Sequence, residues 1–306
     1  MKRIKIGGVL EASAIAMGCM RIADLSTQEL ITLIKTGMDG GIDLFDHADI
    51  YGGGQCEIAF GKAVREAGIP RDKLVVQTKC GIRKGQFDFS KDYIVESLDN
   101  SLKRLGMDYV DMFMLHRPDT LVEYEEVAEA FTILQKAGKA KYYGVSNHGP
   151  GQIRLLNKYL SNEQRIIANQ LQFSPAHTGM IDAGLNVNMT NPPAYDRDGG
   201  ILDFCRLEDI TIQTWSPFMY GYFEGVFLGS DKYPELNQTL NELAAEKNVP
   251  VGAVVIAWIL RHPANMQAVS GTTELDLLKS TLQACSFEIG REEWYRIYLA
   301  AGNKLP

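Results

Sequence analysis

Cysteine is scarce and scattered: five residues in 306, at positions 19, 56, 80, 205 and 285, none in a CxxC spacing. That excludes zinc ribbons and thioredoxin-like redox pairs, and the thiols read as reduced and structural. Basic charge is also short. Lys and Arg total 31 against 38 Asp and Glu, a net charge of -7, and there is no run of five basic residues. Nucleic-acid binding normally shows as a basic face or stripe, so no nucleic-acid partner is expected. No segment approaches the roughly 20 consecutive apolar residues of a membrane span. The opening MKRIKIGGVLEAS is basic, but Gly7, Gly8, Glu11 and Ser13 interrupt it before a signal-type apolar stretch accumulates. A cytoplasmic protein without a membrane partner is expected, where the sequons at Asn188 and Asn237 carry no meaning.

What is present is a chain 45% hydrophobic and 23% charged, long enough for one large α/β barrel or two ordinary domains. Residues 2 to 13 alternate around Gly7-Gly8 like a short hairpin, and AIAMG (14 to 18) reads as a buried strand. Ser26 is a good N-cap for a helix carrying Leu30, Leu33, Ile34 and Met38 on one face and stopped by Gly40-Gly41. Strand IDLF, helix 57 to 67 and strand LVVQTK follow. The alternation continues through helix 91 to 105, strand YVDMFML, helix 123 to 137, strand KYYGVS, helix 150 to 160 and strand IIANQLQ. An irregular stretch from 174 to 199 precedes a helix near 200 to 207, strand ITIQTW, helices on either side of Pro250, strand MQAVS and helix 274 to 284.

Eight strands, each followed by a helix, in about 300 residues imply a parallel sheet closed as a (β/α)8 TIM barrel, a single domain over 1 to 306. The C-terminal REEWYRIYLAA predicts an extra helix on the outside, with Trp294, Ile297 and Tyr298 as its buried face. Two long loops, 174 to 199 and 217 to 234, fall on the βα side where barrels carry their sites. The second is rich in Phe and Tyr. It either covers an apolar ligand or folds on its own small core.

Asp46 and Tyr51 follow the second strand, Lys79 closes the third and His116 the fourth, so the four should meet at the barrel mouth. A phenol beside an ammonium has its anion favoured, which would lower its pKa and suit it to general acid catalysis. Asp46 would keep Lys79 charged, and His116 could orient a carbonyl oxygen. The site shows no activated nucleophile and no glycosidase carboxylate pair. Donors aimed at one oxygen suit a carbonyl that gains negative charge as hydride arrives, and the hydride would have to come from a nicotinamide. Asp43, Asp46, His47, Asp49 and His116 could also be read as metal ligands, but no HxH pair ends a strand and Lys79 would compete for the carboxylate. His47 reads as packing or a local hydrogen-bond group, His148 and His177 as possible substrate contacts, and the glycines at 52 to 54 as a turn rather than a phosphate loop, since no Lys-Ser/Thr follows.

DHADIYGGGQCE, the lysine of QTKCG, LHRPD, GVSNH and the NQ and WSP strings together resemble the aldo-keto reductase family, in its order and spacing, from Met17 to the last helix. The resemblance implies Tyr51 as proton donor, Lys79 as its partner, Asp46 as the partner of that lysine and His116 as the substrate-orienting group. It implies a small-molecule carbonyl substrate, and NADP as cofactor, with NAD possible. Ser146, Asn147 and Gln170 would bind the nicotinamide carboxamide, and Trp215 would stack on its ring. Gly18, Cys19 and Met20 would line nicotinamide and ribose, and Ser216 the pyrophosphate. In GTTELDLLKSTL the family's basic residues for the 2′-phosphate are replaced by Gly271, Thr272, Thr273 and Leu277, with Lys279 nearby as a partial substitute. The alternative on the same fold is a non-catalytic nicotinamide-binding regulatory subunit.

Overall fold

The computed structural model describes residues 1–221 and 224–306. Eight of its strands close into a parallel barrel: β1 Ile15–Gly18, β2 Leu44–Asp46, β3 Val75–Cys80, β4 Val110–Leu115, β5 Ala140–Ser146, β6 Ile166–Gln172, β7 Thr211–Trp215 and β8 Gln267–Ser270. Each pairs with its successor in sequence, and β8 pairs with β1 to close the ring. Helices connect the strands because each segment between them carries one apolar stripe, which the barrel exterior covers. The first of these, Thr27–Asp39, shows how local sequence sets a boundary. Ser26 Oγ accepts from the Glu29 amide while the Glu29 carboxylate accepts from the Ser26 amide, and Leu30, Leu33 and Ile34 are buried behind it.

The N-terminal hairpin, Arg3–Ile6 with Leu10–Ser13, plugs the end of the barrel where the strands begin. Ile4, Ile6, Ala12 and Ala14 join Leu44, Met112, Met114 and Ile167 in one apolar cluster. Its tip is tied at Gly7, whose amide donates to Thr211 Oγ1 at 3.0 Å and whose carbonyl accepts from Arg165 at 2.6 Å. Gly7 has φ +56°, and a Cβ there would lie 2.4 Å from Ile167 Cβ, so only glycine fits. With this end sealed, the opposite face is the open one.

Several boundaries differ from the sequence reading. The stretch 174 to 199 is not structureless: it holds a helix, Gly179–Leu185, and a 3-10 turn, Pro192–Ala194. Both are too short to show a hydrophobic period. The helix expected over 274 to 284 runs Leu275–Leu282 and tightens into a 3-10 turn. A two-residue hairpin, Ile82–Arg83 with Gln86–Phe87, follows β3 without a sequence signature. The last helix, Arg291–Ala300, buries Ile297 and Tyr298, whereas Trp294 is half-buried and stacks on Trp258 at 4.9 Å. In the aromatic loop, Phe227 is buried and its amide donates to the Phe218 carbonyl, so part of it folds on its own core; Tyr222 and Phe223 lie outside the described residues.

Replacing Gly7 by Ala should cost about 2–5 kcal/mol, from ~1–2 for the left-handed backbone and ~1–3 for overpacking against Ile167. Urea unfolding of Gly7→Ala measures this directly. An unchanged midpoint would mean that the plug does not hold the barrel end.

Candidate active site

Strand parity decides which side chains enter the barrel. In β2 and β3 the inward positions are Leu44 and Asp46, then Gln77 and Lys79, and register places Asp46 beside Gln77. Lys79 is completely buried, and its Nζ donates to Asp46 Oδ1 at 2.6 Å, to the His47 carbonyl at 2.8 Å and to Tyr51 Oη at 3.3 Å. An ammonium has three protons, and all three are used. Tyr51 reaches this point because it opens a 3-10 turn, Tyr51–Gly54, in which Gly52, Gly53 and Gly54 all take positive φ. Side chains with a Cβ would strain at three such positions in a row.

Asp46 Oδ1 also accepts from Gln77 at 2.6 Å and from Gln170 at 2.8 Å. Gln77 exchanges bonds with Gln213, which donates to Gln267 at 2.7 Å, which in turn donates to the Ser13 carbonyl of the plug at 2.6 Å. A chain of buried amides therefore links the ion pair to the sealed end. Sequence reasoning missed Gln77, Gln213 and Gln267. Their signal was parity: Gln77 stands two residues before Lys79, and Gln213 two before Trp215.

Electrostatics correct one expectation. The Tyr51 phenol lies above its ordinary value, because burial, with help from Asp46, outweighs the pull of Lys79. It is fully protonated at neutral pH. For Lys79 burial acts downward, but Asp46 and Tyr51 overcome it and the ammonium is held above its usual range. The His116 imidazole is pushed well below its ordinary value by burial and by the charges of Lys79 and Arg117, so it is neutral. Its ring packs edge-on to Tyr51, centroids 5.8 Å apart, and its Nδ1 is buried without a partner among the described residues.

These groups open into a cleft of about 590 Å³. Asp46, Tyr51 and His116 line one part, with Lys79 beneath. Around it stand Gly18 and Met20 from the end of β1, Ser146 and Asn147 from β5, Gln170 from β6, and Trp215 and Ser216 from β7. Gly271, Thr272, Thr273 and Leu277 line the part after β8. Cys19 is the exception. Its side chain is buried in the core and its thiol donates to the Met17 carbonyl, so it does not reach the cleft. Arg21, Arg117, Ile82 and Glu274 were not foreseen and also line it, together with Phe218 and Met219 of the aromatic loop. Lys279 is exposed and outside the lining.

Two non-glycine residues of the lining, Asn147 (φ 59°) and Ser216 (φ 52°), have left-handed backbones. Such strain gathers where a site overrules local preference. Asn147 donates to Ser146 Oγ at 2.7 Å and accepts from the Trp215 indole at 3.2 Å. At the other wall Gly18 packs closely on Gly271, where a Cβ would lie 3.2 Å from the Gly271 backbone, and both glycines line the cleft. The His47 ring is packed: both ring nitrogens lack partners among the described residues and the ring lies 4.5 Å from Phe60. Among the described residues no three His, Cys, Asp or Glu side chains cluster as a metal set, and no single helix is long and apolar enough to cross a membrane.

The model of the Aldo/keto reductase family matches residues 14–300. The chain belongs to the aldo-keto reductase family. It is 33% identical to an uncharacterized oxidoreductase, YcsN, of Bacillus subtilis, over all of both chains. It is also 33% identical to a 6-dehydroglucose reductase of Agrobacterium fabrum, covering 99% of each. An aldo-keto reductase from Klebsiella pneumoniae solved in complex with NADPH shares the fold at a TM-score of 0.77 and 22% identity, over 97% of this chain and 93% of that one. The barrel is therefore an aldo-keto reductase barrel.

His47 is expected to drive acid destabilisation. Burial lowers its pKa from 6.5 to about 3, so the unfolded chain takes up a proton first as pH falls. The stability this residue contributes is intact above pH 6.5 and is lost below it, about 2–3 kcal/mol by pH 4.5. His47→Leu should remove that share of the acid sensitivity, measured as the difference in unfolding free energy between pH 7 and 4.5. The same pH dependence in both proteins would refute it.

Proposed function

We propose that this aldo-keto reductase reduces an aldehyde or ketone of a small molecule to the alcohol, with a reduced nicotinamide dinucleotide, NADPH or NADH, bound along the cleft. The observation that carries the reading is the state of Tyr51: a protonated phenol whose oxygen already accepts from Lys79, leaving its own proton to be donated into the cleft. When bound, the dinucleotide supplies the hydride.

Each remaining task belongs to a residue of this chain. The His116 imidazole, neutral and in the lining, donates a hydrogen bond to the substrate oxygen and holds the carbonyl against Tyr51. Tyr51 Oη gives its proton to the oxygen as negative charge develops there. Lys79 stabilises the phenolate that remains, and Asp46 keeps Lys79 an ammonium throughout. Gln170 has its amide nitrogen committed to Asp46, so it offers its carbonyl oxygen to a carboxamide NH2, while Ser146 and Asn147 complete that pocket. Trp215 presents an aromatic face for the nicotinamide ring. Gly18 and Gly271 present backbone without side chains to the cleft. The Klebsiella complex with NADPH and the relative named for reducing 6-dehydroglucose support this reading.

The far end of the cleft bears on the choice of nucleotide. Between Thr272 and Leu277 the lining holds no cation and does hold the carboxylate of Glu274. A 2′-phosphate placed there would meet like charge, which favours NADH. Leu277→Arg should tighten NADPH by about tenfold, the worth of ~1.4 kcal/mol from one charged hydrogen bond, with NADH little changed. Titration of both nucleotides into both proteins checks this, and equal effects on the two would dismiss it.

Tyr51→Phe should lower turnover about 10²–10⁴-fold while cofactor binding is retained. Full activity would remove Tyr51 as the acid. Tight dinucleotide binding by the unaltered protein with no turnover across a broad carbonyl panel would instead mark a regulatory subunit.

A further inference from the structure

A second cavity, of about 910 Å³, is not used by the reductase reading. It adjoins the reaction cleft across Arg117, Asn147 and Trp215, which line both. That partition is braced: the Trp215 indole donates to Asn147, and the Arg117 guanidinium lies 5.8 Å from the Trp215 ring centroid. Beyond it the walls are the ends of β5 and β6, the helix Gly179–Leu185 and the segment from 192 to 198.

The lining selects a chemistry. Its charged side chains are two guanidiniums, Arg117 and Arg197, and two carboxylates, Asp182 and Asp198, so neither sign is in excess. A phosphate or a polyamine would find no surplus counter-charge. Asp182 is fixed by the Tyr298 hydroxyl at 2.8 Å and by Thr178 at 3.1 Å. His148 Nδ1 lies 2.9 Å from the Ser146 carbonyl, and a carbonyl only accepts, so Nδ1 carries the ring proton. Burial holds this imidazole at a pKa of about 4, which leaves Nε2 a lone-pair acceptor at neutral pH. The same lining holds flat side chains, those of Trp215, Tyr195 and the Pro192-Pro193 pair. Fixed acceptors, forked donors and flat apolar walls match a ring with C–H faces and hydroxyls at its edge, each hydroxyl both donor and acceptor.

We propose that this second chamber is a carbohydrate-binding site, taking a neutral sugar whose ring lies against the flat walls and whose hydroxyls bond His148, Asp182 and Arg197. It requires neither the cofactor nor turnover, so it stands apart from the reductase reading.

Gly179 provides the test. It lines the chamber, and a Cβ added there meets no atom within 4 Å, so a side chain can be introduced at this position. Saturation-transfer NMR with maltose and D-glucose, on the protein without nucleotide, should show transfer to sugar protons in the wild type and in Gly179→Ala. In Gly179→Trp the transfer should fall at least about fivefold. Should Gly179→Trp fail to fold, Tyr195→Ala takes its place with the same expectation, since Tyr195 is 63% exposed and its loss leaves the core intact. Absence of transfer to both sugars in the wild type, or an undiminished signal in the altered chamber, overturns the proposal. Tyr51→Phe keeps the sugar signal, so failure of the chamber and failure of the reductase reading are separable.

Discussion

The buried ion pair of Lys79 and Asp46 is the constraint on which the rest of the structure depends. Burying a carboxylate and an ammonium together is close to neutral at best, and removing one partner leaves an uncompensated charge worth about 3–5 kcal/mol. Such a pair persists only where every proton and lone pair finds a partner in good geometry. Here the ammonium spends all three protons, and one carboxylate oxygen collects donors from Lys79, Gln77 and Gln170. The amide chain through Gln213 and Gln267 extends this satisfaction to the plugged end of the barrel. A polar layer thus crosses an interior that otherwise holds Leu44, Met112, Met114 and Ile167.

The states of the surrounding groups follow from that pair. A permanent positive charge beneath the cleft adds to burial in keeping His116 and His47 neutral. It also gives the Tyr51 oxygen a donor, so the phenol can lose its proton outward without becoming an isolated buried anion. Burial delays that loss until an acceptor arrives, which suits an acid more than a resting phenolate. The left-handed backbones of Asn147 and Ser216, on neighbouring sides of Trp215, indicate that the packed barrel holds this wall in place against local preference.

Much of this was legible in the sequence because barrel folding is periodic. Strands of four to seven residues separated by capped helices could be counted, and the strand ends at Asp46, Lys79 and His116 could be found without knowing any distance. What was misread had no period. Cys19 stands one residue past Gly18, where the chain has left the strand, and its side chain turns into the core instead of following the cleft. The helix Gly179–Leu185 is under two turns long, and Glu274 caps a helix from outside it, so neither announced a wall. The glutamines were overlooked since an amide in a strand suggests no chemistry until three of them touch.

By itself the sequence determined the order of elements, the inward parity of Asp46, Gln77 and Lys79, and the identity of the groups able to move a proton, because these depend on spacing along the chain. Only the tertiary structure decided the acidity of Tyr51, the exclusion of Cys19 and the existence of two adjoining chambers. Those depend on how much water each group loses and on which distant strands and loops meet, and both are set by closure of the barrel.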